Sequence, residues 1–423
     1  MKILHLNTFD NVGGAALIAR ELGTDQRQHG HDVKYLVGYK KSTDDQVFQL
    51  NRSAILDRLA QLTGKDANFM YRGLFAKFMA NDVDFGAKDE VLNHPWYQQA
   101  DIVHCHNLHG GYLKLETLRT MAKAKRLVWT LHDAWPVMAH GAWPIISDGT
   151  NIVNSEIESG FYNQLPISTY PAMLWDNTAY LKARKTEIYR DLAVTLVVPS
   201  AWLKKQVQRS ILGDKPVELI HNGIDTTIFK RTDQQRARQE LSLPLGKRIV
   251  TFVAASGKNN PMKGWSFIEK AIARFANQKD VYFVCIGGEA SDQRYNETQV
   301  RYVNYINNQA GLAKYYSASD VFLLSSLVES FGLVVTEAMS CGTAVVAFPV
   351  GVVPEALHDQ AGGYIARYRD ASDLIRGVAS LLNRSEPERL RQGASLRQKV
   401  EKSYSLEKMA NQYQGLYRRL IDG

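Results

Sequence analysis

Short apolar runs alternate with amphipathic stretches along the first half of the 423-residue chain. The runs lie at residues 2–7, 31–38, 101–107, 126–133, 195–200 and 217–223. Between the first two, residues 15–30 ("AALIARELGTDQRQHG") carry the spacing of apolar positions that a helix requires. Apolar runs of this length, separated by helical patterns, predict a parallel sheet built from β-α-β units.

The alternation breaks once and then restarts, which predicts a second domain. Residues 225–248 are polar and contain a Pro and a Gly, so we interpret them as a linker. Apolar runs return at residues 248–256, 281–289, 321–326 and 343–348. We therefore predict an α/β fold with two doubly wound, Rossmann-like domains, at residues 1–230 and 245–403. Because ligands bind at the carboxyl ends of parallel strands, two such sheets facing each other would form a ligand-binding cleft.

Composition narrows the class of protein. A hydrophobic fraction of 45% and a charged fraction of 22% predict a large core rather than disorder. The net charge of +8 favours anionic partners, but the basic residues are dispersed and match no nucleic-acid-binding motif. Cys105, Cys285 and Cys341 lie far apart, which argues against a disulfide framework. Without a signal peptide or a membrane-spanning run, we expect a soluble, cytoplasmic protein.

The stretch "ESFGLVVTE" at residues 329–337 follows a predicted strand. Gly332 permits a tight turn into a short helix, whose first N–H groups, near Phe331 and Leu333, suit a phosphate. Glu329 lies before this helix end and Glu337 beyond it, too far apart for a joint acid–base pair. We interpret them as acceptors for the sugar and ribose hydroxyls of a nucleotide sugar whose diphosphate lies between them. The alternative is two solvated carboxylates.

In each predicted domain, a glycine-containing loop follows the first strand. "SGKNNPMKG" at residues 256–264 places Lys258 and Lys263 where ammonium groups would neutralise a diphosphate, although two ordinary surface lysines remain the alternative. In the first domain, Gly13 and Gly14 open a helix and allow close approach to an anion. This pair lacks the full dinucleotide-binding fingerprint, so a plain helix start stays open.

Histidines cluster after two predicted strands of the first domain. His104, His106 and His109 lie in "HCHNLHG", and His132 precedes Asp133 in "TLHDAW". HxH spacing suits a metal, but no further ligand lies at a convincing offset, so we predict no metal site. We expect these side chains to form hydrogen bonds in the cleft, with His132 the leading candidate for a catalytic group.

The chain resembles the glycosyltransferase family 4 enzymes of the GT-B fold over nearly its whole length. The resemblance is carried by "NVGGAA", "DIVHCHNLHG", "WTLHDAWP", "VVPSAWL", "IHNGIDTTIF", "SGKNNPMKG", "ESFGLVVTE" and "SLEKMANQY". In such enzymes a Glu-x7-Glu motif contacts the donor sugar and ribose, and a basic pair holds the diphosphate. That pair is usually Arg then Lys, whereas this chain has Lys258 and Lys263, and Lys lacks the bidentate phosphate contact of Arg.

The resemblance implies a metal-independent, retaining hexosyltransferase that needs no cofactor. Its donor would be a nucleotide-diphosphate sugar, a UDP- or GDP-sugar, and the leaving phosphate would help to deprotonate the acceptor. Donor-binding groups would be Gly14, Lys258, Lys263, Tyr305 near the nucleobase, Glu329, Phe331, Gly332, Leu333 and Glu337. Acceptor-side groups would be Gly13, His106, His109 and Asp133, while catalytic roles would fall to His132, Glu329, Lys258 and Lys263. A C-terminal helix at residues 404–423 would cross back onto the first domain.

Other features of the sequence concern the acceptor and two alternative functions. "WTLHDAWP" is similar to bacterial transferases that build exopolysaccharide, colanic-acid-like or O-antigen repeats, which implies a carbohydrate or lipid-linked glycan acceptor. Residues 141–171 would form an acceptor-side loop. Residues 68–79 show an apolar arc with basic flanks, which fits either a core helix or contact with the inner face of an anionic membrane. Rival readings are a nucleotide-sugar 2-epimerase and a non-catalytic subunit that binds sugar nucleotides.

Overall fold

The fold is described from a computed structural model of the chain. It describes residues 1–50, 74, 76–139, 141–143, 145–147, 152–154, 174–253, 260–287, 292–359 and 362–423. The chain divides into two compact units. The first unit contains Met1–Ile220 and Met409–Gly423, and the second contains His221–Lys408.

The first unit is built on a seven-stranded parallel sheet. Its strands are β1 (Lys2–Phe9), β2 (Asp32–Tyr39), β3 (Val47–Gln49), β4 (Ile102–Cys105), β5 (Arg126–Thr130), β8 (Thr195–Val198) and β9 (Val217–Leu219), and a separate hairpin pairs β6 (Ile145–Ser147) with β7 (Ile152–Asn154). The sheet order is β3-β2-β1-β4-β5-β8-β9. Its helices are α1 (Gly14–Gln28), α2 (Asp89–Asn93), α3 (Pro95–Gln99), α4 (Thr117–Ala124), α5 (Thr178–Tyr189) and α6 (Ala201–Gln208).

The second unit repeats this architecture. Its strands are β10 (Arg248–Val253), β11 (Val281–Ile286), β12 (Gln293–Tyr295), β13 (Thr298–Val303), β14 (Val321–Leu324), β15 (Ala344–Ala347) and β16 (Gly363–Ile365). The sheet order is β12-β13-β11-β10-β14-β15-β16, and β12 alone runs antiparallel to its neighbour in this sheet. Its helices are α7 (Gln234–Glu240), α8 (Trp265–Phe275), α9 (Gln309–Ala318), α10 (Leu333–Ser340), α11 (Val353–Ala356), α12 (Ala371–Leu382) and α13 (Glu386–Ser403), and α14 (Leu406–Asp422) returns to the first unit.

Local chemistry explains where the elements form. The central strands, such as β4 and β14, are buried along their whole length, as expected when helices cover both faces of a parallel sheet. Several helices start at side chains that accept a hydrogen bond from a first-turn N–H group, among them Ser200, Asn308 and Asp370. The two parallel-sheet units confirm the predicted α/β fold with two Rossmann-like domains.

The polar stretch at residues 225–248 is not the linker that the sequence predicted. It contains α7, and the side chain of Arg238 on this helix is buried. Its Nη2 donates to Oδ2 of Asp320 at 2.8 Å, and its Nε donates to the carbonyl oxygen of Ala318 at 2.9 Å. These contacts fix the stretch inside the second unit, so the chain crosses between the units at residues 220–221, ten residues before the predicted end of the first domain.

None of the helices described is both long and apolar enough to cross a membrane.

Candidate functional site

An ion pair between Lys263 and Glu329 lies at the carboxyl end of β14. The sequence predicted these two residues as separate ligands of a donor. Nζ of Lys263 donates to Oε1 of Glu329 at 2.7 Å, and both side chains are largely shielded from solvent. The residues are 66 positions apart, and the sheet brings them together because β10 and β14 are neighbours. The pair therefore places a cation and a carboxylate at the same strand-end edge.

The backbone around Lys263 is clamped to the segment that follows β14. Oγ of Ser325 donates to the carbonyl oxygen of Lys263 at 2.8 Å, and the N–H of Leu327 donates to that of Met262 at 2.8 Å. Gly264 adopts the left-handed φ of 62°, and a Cβ there would lie 2.1 Å from the carbonyl oxygen of Ser325. Only glycine fits this approach, so Gly264 is part of what holds Lys263 against Glu329.

We expect the Gly264→Ala substitution to lower the melting temperature by several degrees and to weaken nucleotide binding. The left-handed backbone alone costs about 1 kcal/mol in a non-glycine residue, and the clash must also displace the Lys263 loop. Gly246→Ala is the matched control, since a Cβ at Gly246 meets no atom within 4 Å. Calorimetry of both variants checks the stability effect, and equal melting temperatures would contradict the packing argument.

The Gly332 turn is held by a second glycine. Gly332 has φ 91° and precedes α10, whose first turn receives no side-chain cap from the described residues. The N–H of Val352 donates to the carbonyl oxygen of Phe331 at 2.8 Å, and a Cβ on Gly351 would lie 2.3 Å from that oxygen. The amide groups at Gly332 and Leu333 thus open a fixed helix N terminus beside Glu329, the arrangement that favours a phosphate.

Glu337 lies inside α10 and is buried. Its Oε2 accepts a hydrogen bond from Oη of Tyr316 at 3.0 Å. Burial, together with the neighbouring carboxylate of Glu337, raises the pKa of Tyr316 well above its usual value, so the phenol remains a donor. The structure therefore orients the Glu337 carboxylate through Tyr316, a partner that its helical position alone did not reveal.

Lys258 and Tyr305 are two further residues that the sequence predicted to bind the nucleotide sugar. Lys258 lies outside the described residues. Tyr305 follows β13 and is 66% exposed, so its contact with a nucleobase stays a prediction.

Sequence reasoning missed His221, whose Nε2 lies 3.5 Å from Oε2 of Glu355 and whose ring lies 6.2 Å from that of Phe331. Its position within the predicted run at residues 217–223, two residues after the end of β9, was the available signal.

In the first unit, Gly13 and Gly14 form the start of α1. Gly13 has φ 85° and ψ 167°, and a Cβ there would meet no atom within 4 Å. Backbone conformation, rather than crowding, is therefore what requires glycine at this position. The open space at the helix start is compatible with the predicted approach of an anion, which stays a prediction.

Three histidines of the first unit form a hydrogen-bonded chain, here called the histidine chain: His5, His106 and His132. Nδ1 of His5 lies 2.9 Å from Nε2 of His106, and Nδ1 of His106 lies 2.9 Å from Nε2 of His132. Burial lowers the pKa of both His5 and His132 to about 4, and that of His106 well below its usual value. The three imidazoles of the histidine chain are therefore neutral near pH 7, and His132 lies at the most exposed end of the histidine chain.

A metal is the obvious alternative for these imidazoles. One ring nitrogen each from His5, His104 and His106 lies within 4.8 Å of the others. Both nitrogens of His5 and both of His106 already form hydrogen bonds, and those of His104 contact Tyr417 and Thr130. A metal ligand needs a lone pair directed at the ion, so the observed contacts fit a hydrogen-bonded network better than a metal centre.

His109 and Asp133 form an ion pair at 3.2 Å between Nε2 and Oδ2. Burial opposes the charged imidazole, but the hydrogen bond and charge of Asp133 outweigh it and raise the pKa of His109. Oδ1 of Asp133 accepts from the N–H of Trp135 at 2.9 Å. The structure thus brings all four acceptor-side and catalytic groups that follow β4 and β5 to one edge of the sheet, in two pairs: His106 with His132, and His109 with Asp133.

Helix α5 supports the loop that carries these groups. Nζ of Lys185 is fully buried, donates to the carbonyl oxygens of Trp135 and Met138 at 2.7 and 2.8 Å, and lies 3.8 Å from the centre of the Trp135 ring. Oη of Tyr189 donates to the carbonyl oxygen of Pro136 at 3.1 Å. Sequence reasoning missed this buried lysine because it lies on a helix of ordinary composition.

Stability should rise with pH because of Lys185. Burial lowers the pKa of Lys185 from 10.5 to about 7, so between these values the unfolded chain holds a proton that the folded chain has lost. The free energy of unfolding should increase across pH 7–9, by at most about 1.4 kcal/mol per pH unit, and this increase should shrink in Lys185→Met. Urea unfolding at several pH values, with exposed Lys182→Met as control, checks this. Parallel pH profiles for wild type and Lys185→Met would contradict it.

Two Rossmann-like units, each with polar groups at the carboxyl ends of its strands, are the architecture of the GT-B fold. Residues 12–228 match the family model described as Glycosyltransferase Family 4, and residues 233–398 match Glycosyl transferases group 1. The chain belongs to glycosyltransferase family 4.

Relatives with described activities differ in what they act on. A D-inositol 3-phosphate glycosyltransferase of Segniliparus rotundus is 33% identical over 41% of this chain and 40% of its own length. An N-acetyl-alpha-D-glucosaminyl L-malate synthase of Bacillus anthracis is 20% identical over 97% of this chain and 95% of its own. This chain thus matches less than half of the first relative.

Solved structures with the same fold cover the whole chain. Sucrose-phosphate synthase from Thermosynechococcus elongatus has a TM-score of 0.66 at 20% identity, with 100% of both chains covered. Anabaena Alr3699/HepE, solved in complex with UDP-glucose, has a TM-score of 0.63 at 15% identity, with 99% of this chain and 100% of that chain covered. At these identities the likeness shows the fold.

Proposed function

We propose that the protein transfers a sugar, with retention of anomeric configuration, from a nucleotide-diphosphate sugar to a carbohydrate or lipid-linked glycan acceptor in surface polysaccharide synthesis. The observation that carries this proposal is the Lys263–Glu329 pair held beside the N terminus of α10. The bound UDP-glucose of Alr3699/HepE supports a nucleotide sugar as the donor.

In this proposal the second unit binds the donor. The N–H groups at Gly332 and Leu333 and the ammonium group of Lys263 stabilise the diphosphate as its charge grows on leaving. Glu329 accepts hydrogen bonds from hydroxyls of the sugar, and Glu337, oriented by Tyr316, accepts from the ribose. His132 and the His109–Asp133 pair supply polar groups of the first unit for hydroxyls of the acceptor.

The proposed chemistry needs no covalent enzyme intermediate and no metal. The acceptor hydroxyl oxygen bonds to the anomeric carbon from the face that the phosphate leaves, while the bond between that carbon and the phosphate oxygen breaks. The acceptor proton passes to the departing phosphate oxygen. The products are a glycoside of unchanged anomeric configuration and a nucleoside diphosphate, and the protein contributes by positioning both substrates and stabilising the leaving charge.

The test is a thermal-shift comparison of UDP, GDP, ADP and their sugars, followed by NMR of the products. A nucleotide sugar that raises the melting temperature and yields a retained glycoside only when an acceptor is added supports the proposal. Isomerised donor without any acceptor would instead identify a 2-epimerase. Binding with no turnover across an acceptor panel would favour a non-catalytic subunit, and a requirement for divalent metal would overturn the metal-independent mechanism.

A lipid-linked acceptor is favoured by exposed apolar side chains on the first unit. Only residues 74 and 76–79 of the predicted amphipathic stretch 68–79 are described, and Leu74 and Phe78 are 57% and 59% exposed. Nε1 of Trp175, itself 46% exposed, donates to the carbonyl oxygen of Phe78 at 2.9 Å, which joins the two segments into one surface. Apolar groups of this kind insert into the interface of a bilayer.

We expect the protein to float with anionic vesicles and to lose most of this association when Phe78 and Trp175 are replaced by serine. Leu245→Ser, which alters a similarly exposed apolar residue of the second unit, is the control. Flotation at low and moderate salt separates the apolar contribution from charge attraction. Equal flotation of the double variant and the control would remove the membrane from the proposal.

A further inference from the structure

Each imidazole of the histidine chain sets the protonation of the next one. A neutral imidazole has one N–H donor and one lone-pair acceptor. Nδ1 of His5 faces Nε2 of His106, so one of these two nitrogens must carry hydrogen and the other must not. The same holds for Nδ1 of His106 and Nε2 of His132. Fixing the tautomer at one end of the chain therefore fixes it at the other.

Gln26 on α1 lies at the buried end of the chain. Its Oε1 is 2.9 Å from Nε2 of His5. An amide oxygen can only accept, so Nε2 of His5 must carry the proton and Nδ1 must be unprotonated. The proton between His5 and His106 then lies on Nε2 of His106, and the proton between His106 and His132 lies on Nε2 of His132.

A second arm of hydrogen bonds accommodates the Gln26 amide in this orientation. Nε2 of Gln26 donates to Oη of Tyr417 at 3.2 Å, and that hydroxyl lies 2.6 Å from Nδ1 of His104. Nε2 of His104 lies 2.7 Å from Oγ1 of Thr130, which in turn lies 2.8 Å from Oη of Tyr413. With each group donating to the next, every contact has one donor and one acceptor. Reversing the Gln26 amide would require reversing this arm as well.

We propose that Gln26 is a positioning residue that acts through His5 and His106 to keep Nδ1 of His132 unprotonated, so that His132 accepts a hydrogen bond from a substrate hydroxyl. This inference rests on the proposed function, in which His132 faces an acceptor hydroxyl. Nδ1 of His132 has no hydrogen-bond partner within the described part of the chain, and His132 is the member of the histidine chain with most solvent access.

The orientation matters because the opposite tautomer would present an N–H group to the same hydroxyl. A hydroxyl that donates to His132 keeps its oxygen lone pairs free for other contacts, whereas one that accepts from His132 points its proton elsewhere. The histidine chain therefore determines which way a substrate hydroxyl is turned. Gln26, His5 and His106 have this effect without contacting that hydroxyl.

The test is the tautomer of His132, read from long-range ¹H–¹⁵N spectra of the full chain labelled with ¹⁵N-histidine. His5→Asn, His106→Asn and His132→Asn variants assign the signals. We expect wild-type His132 to carry its proton on Nε2 at pH 7.5. Gln26→Met removes the acceptor and should leave His132 with a mixture of tautomers, whereas Gln26→Glu keeps an acceptor for His5 and should retain the wild-type pattern.

Gln206→Met is the matched control, since Gln206 is a buried glutamine of the same unit outside this network. It should leave the histidine signals unchanged, so a general loss of packing cannot imitate the Gln26 effect. A proton on Nδ1 of wild-type His132 would overturn the proposal, and this measurement needs no Gln26 variant to fold. Unchanged tautomers in Gln26→Met would overturn it equally.

Turnover separates this inference from the proposed function. If the chain transfers sugar, Gln26→Met should lower kcat about tenfold with little change in the KM for the donor, and Gln26→Glu should restore most of the loss. A wild-type chain with the expected tautomers but without transfer activity would refute the function and leave the tautomer assignment standing. An active chain with the opposite tautomer would refute the role of Gln26 alone.

Discussion

Replacing Glu329 with alanine should lower the turnover of sugar transfer by about 10²-fold or more, while the affinity for the bare nucleoside diphosphate stays equal or rises. The carboxylate is needed for the sugar and for holding Lys263, whereas beside a diphosphate its own charge is unfavourable. Rapid-quench turnover and titration calorimetry with the donor selected by thermal shift separate the two effects.

Glu401→Ala is the control for the Glu329 substitution. Glu401 also pairs with a basic side chain, Arg397 at 2.7 Å, but the Glu401 side chain is 46% exposed. Its loss should change turnover less than twofold, because exposed ion pairs contribute little. Normal turnover in Glu329→Ala would show that the donor sugar is bound elsewhere.

Replacing Lys263 with methionine should weaken binding of the nucleoside diphosphate by about 10- to 100-fold. The substitution removes a cation from the phosphate site and also leaves the Glu329 carboxylate unpaired next to the diphosphate. Titration calorimetry at two salt concentrations measures the loss, and the exposed Lys279→Met variant is the control for a simple change in net charge.

A double substitution sharpens the Lys263 prediction. Adding Glu329→Gln to Lys263→Met removes the unpaired carboxylate, so affinity for the diphosphate should recover in part. Such recovery would show that the two side chains act on the same ligand, because independent sites give additive losses. Strictly additive changes would mean that Lys263 and Glu329 do not share the donor.

Most of the central strands and the residues at their carboxyl ends were readable from the sequence for one physical reason. Central strands of a parallel sheet are buried on both faces and therefore appear as short apolar runs. The position of Glu329 after such a run and of Lys263 after another was enough to assign both to one predicted donor site. The short strands β12 and β16 escaped notice because their polar residues and glycine carry no such pattern.

Other features depended on pairings that no local pattern records. Arg238 looks like a surface residue of a polar stretch, and only its contact with Asp320, 82 positions away, makes it part of a buried ion pair. His5 lies inside an apolar run and Gln26 on an amphipathic helix, so neither pointed to the strand ends. Their roles follow from a network that also needs Tyr417, from the other end of the chain.

The return of residues 409–423 to the first unit has a consequence for how the protein is synthesised. These residues leave the ribosome only after the whole second unit has been translated, yet they supply the phenols of Tyr413 and Tyr417 that close the polar interior near His104. The first unit therefore lacks the hydrogen bonds of Tyr413 and Tyr417 until the second unit, His221–Lys408, has been synthesised. Its final consolidation is a late event of biosynthesis rather than an early one.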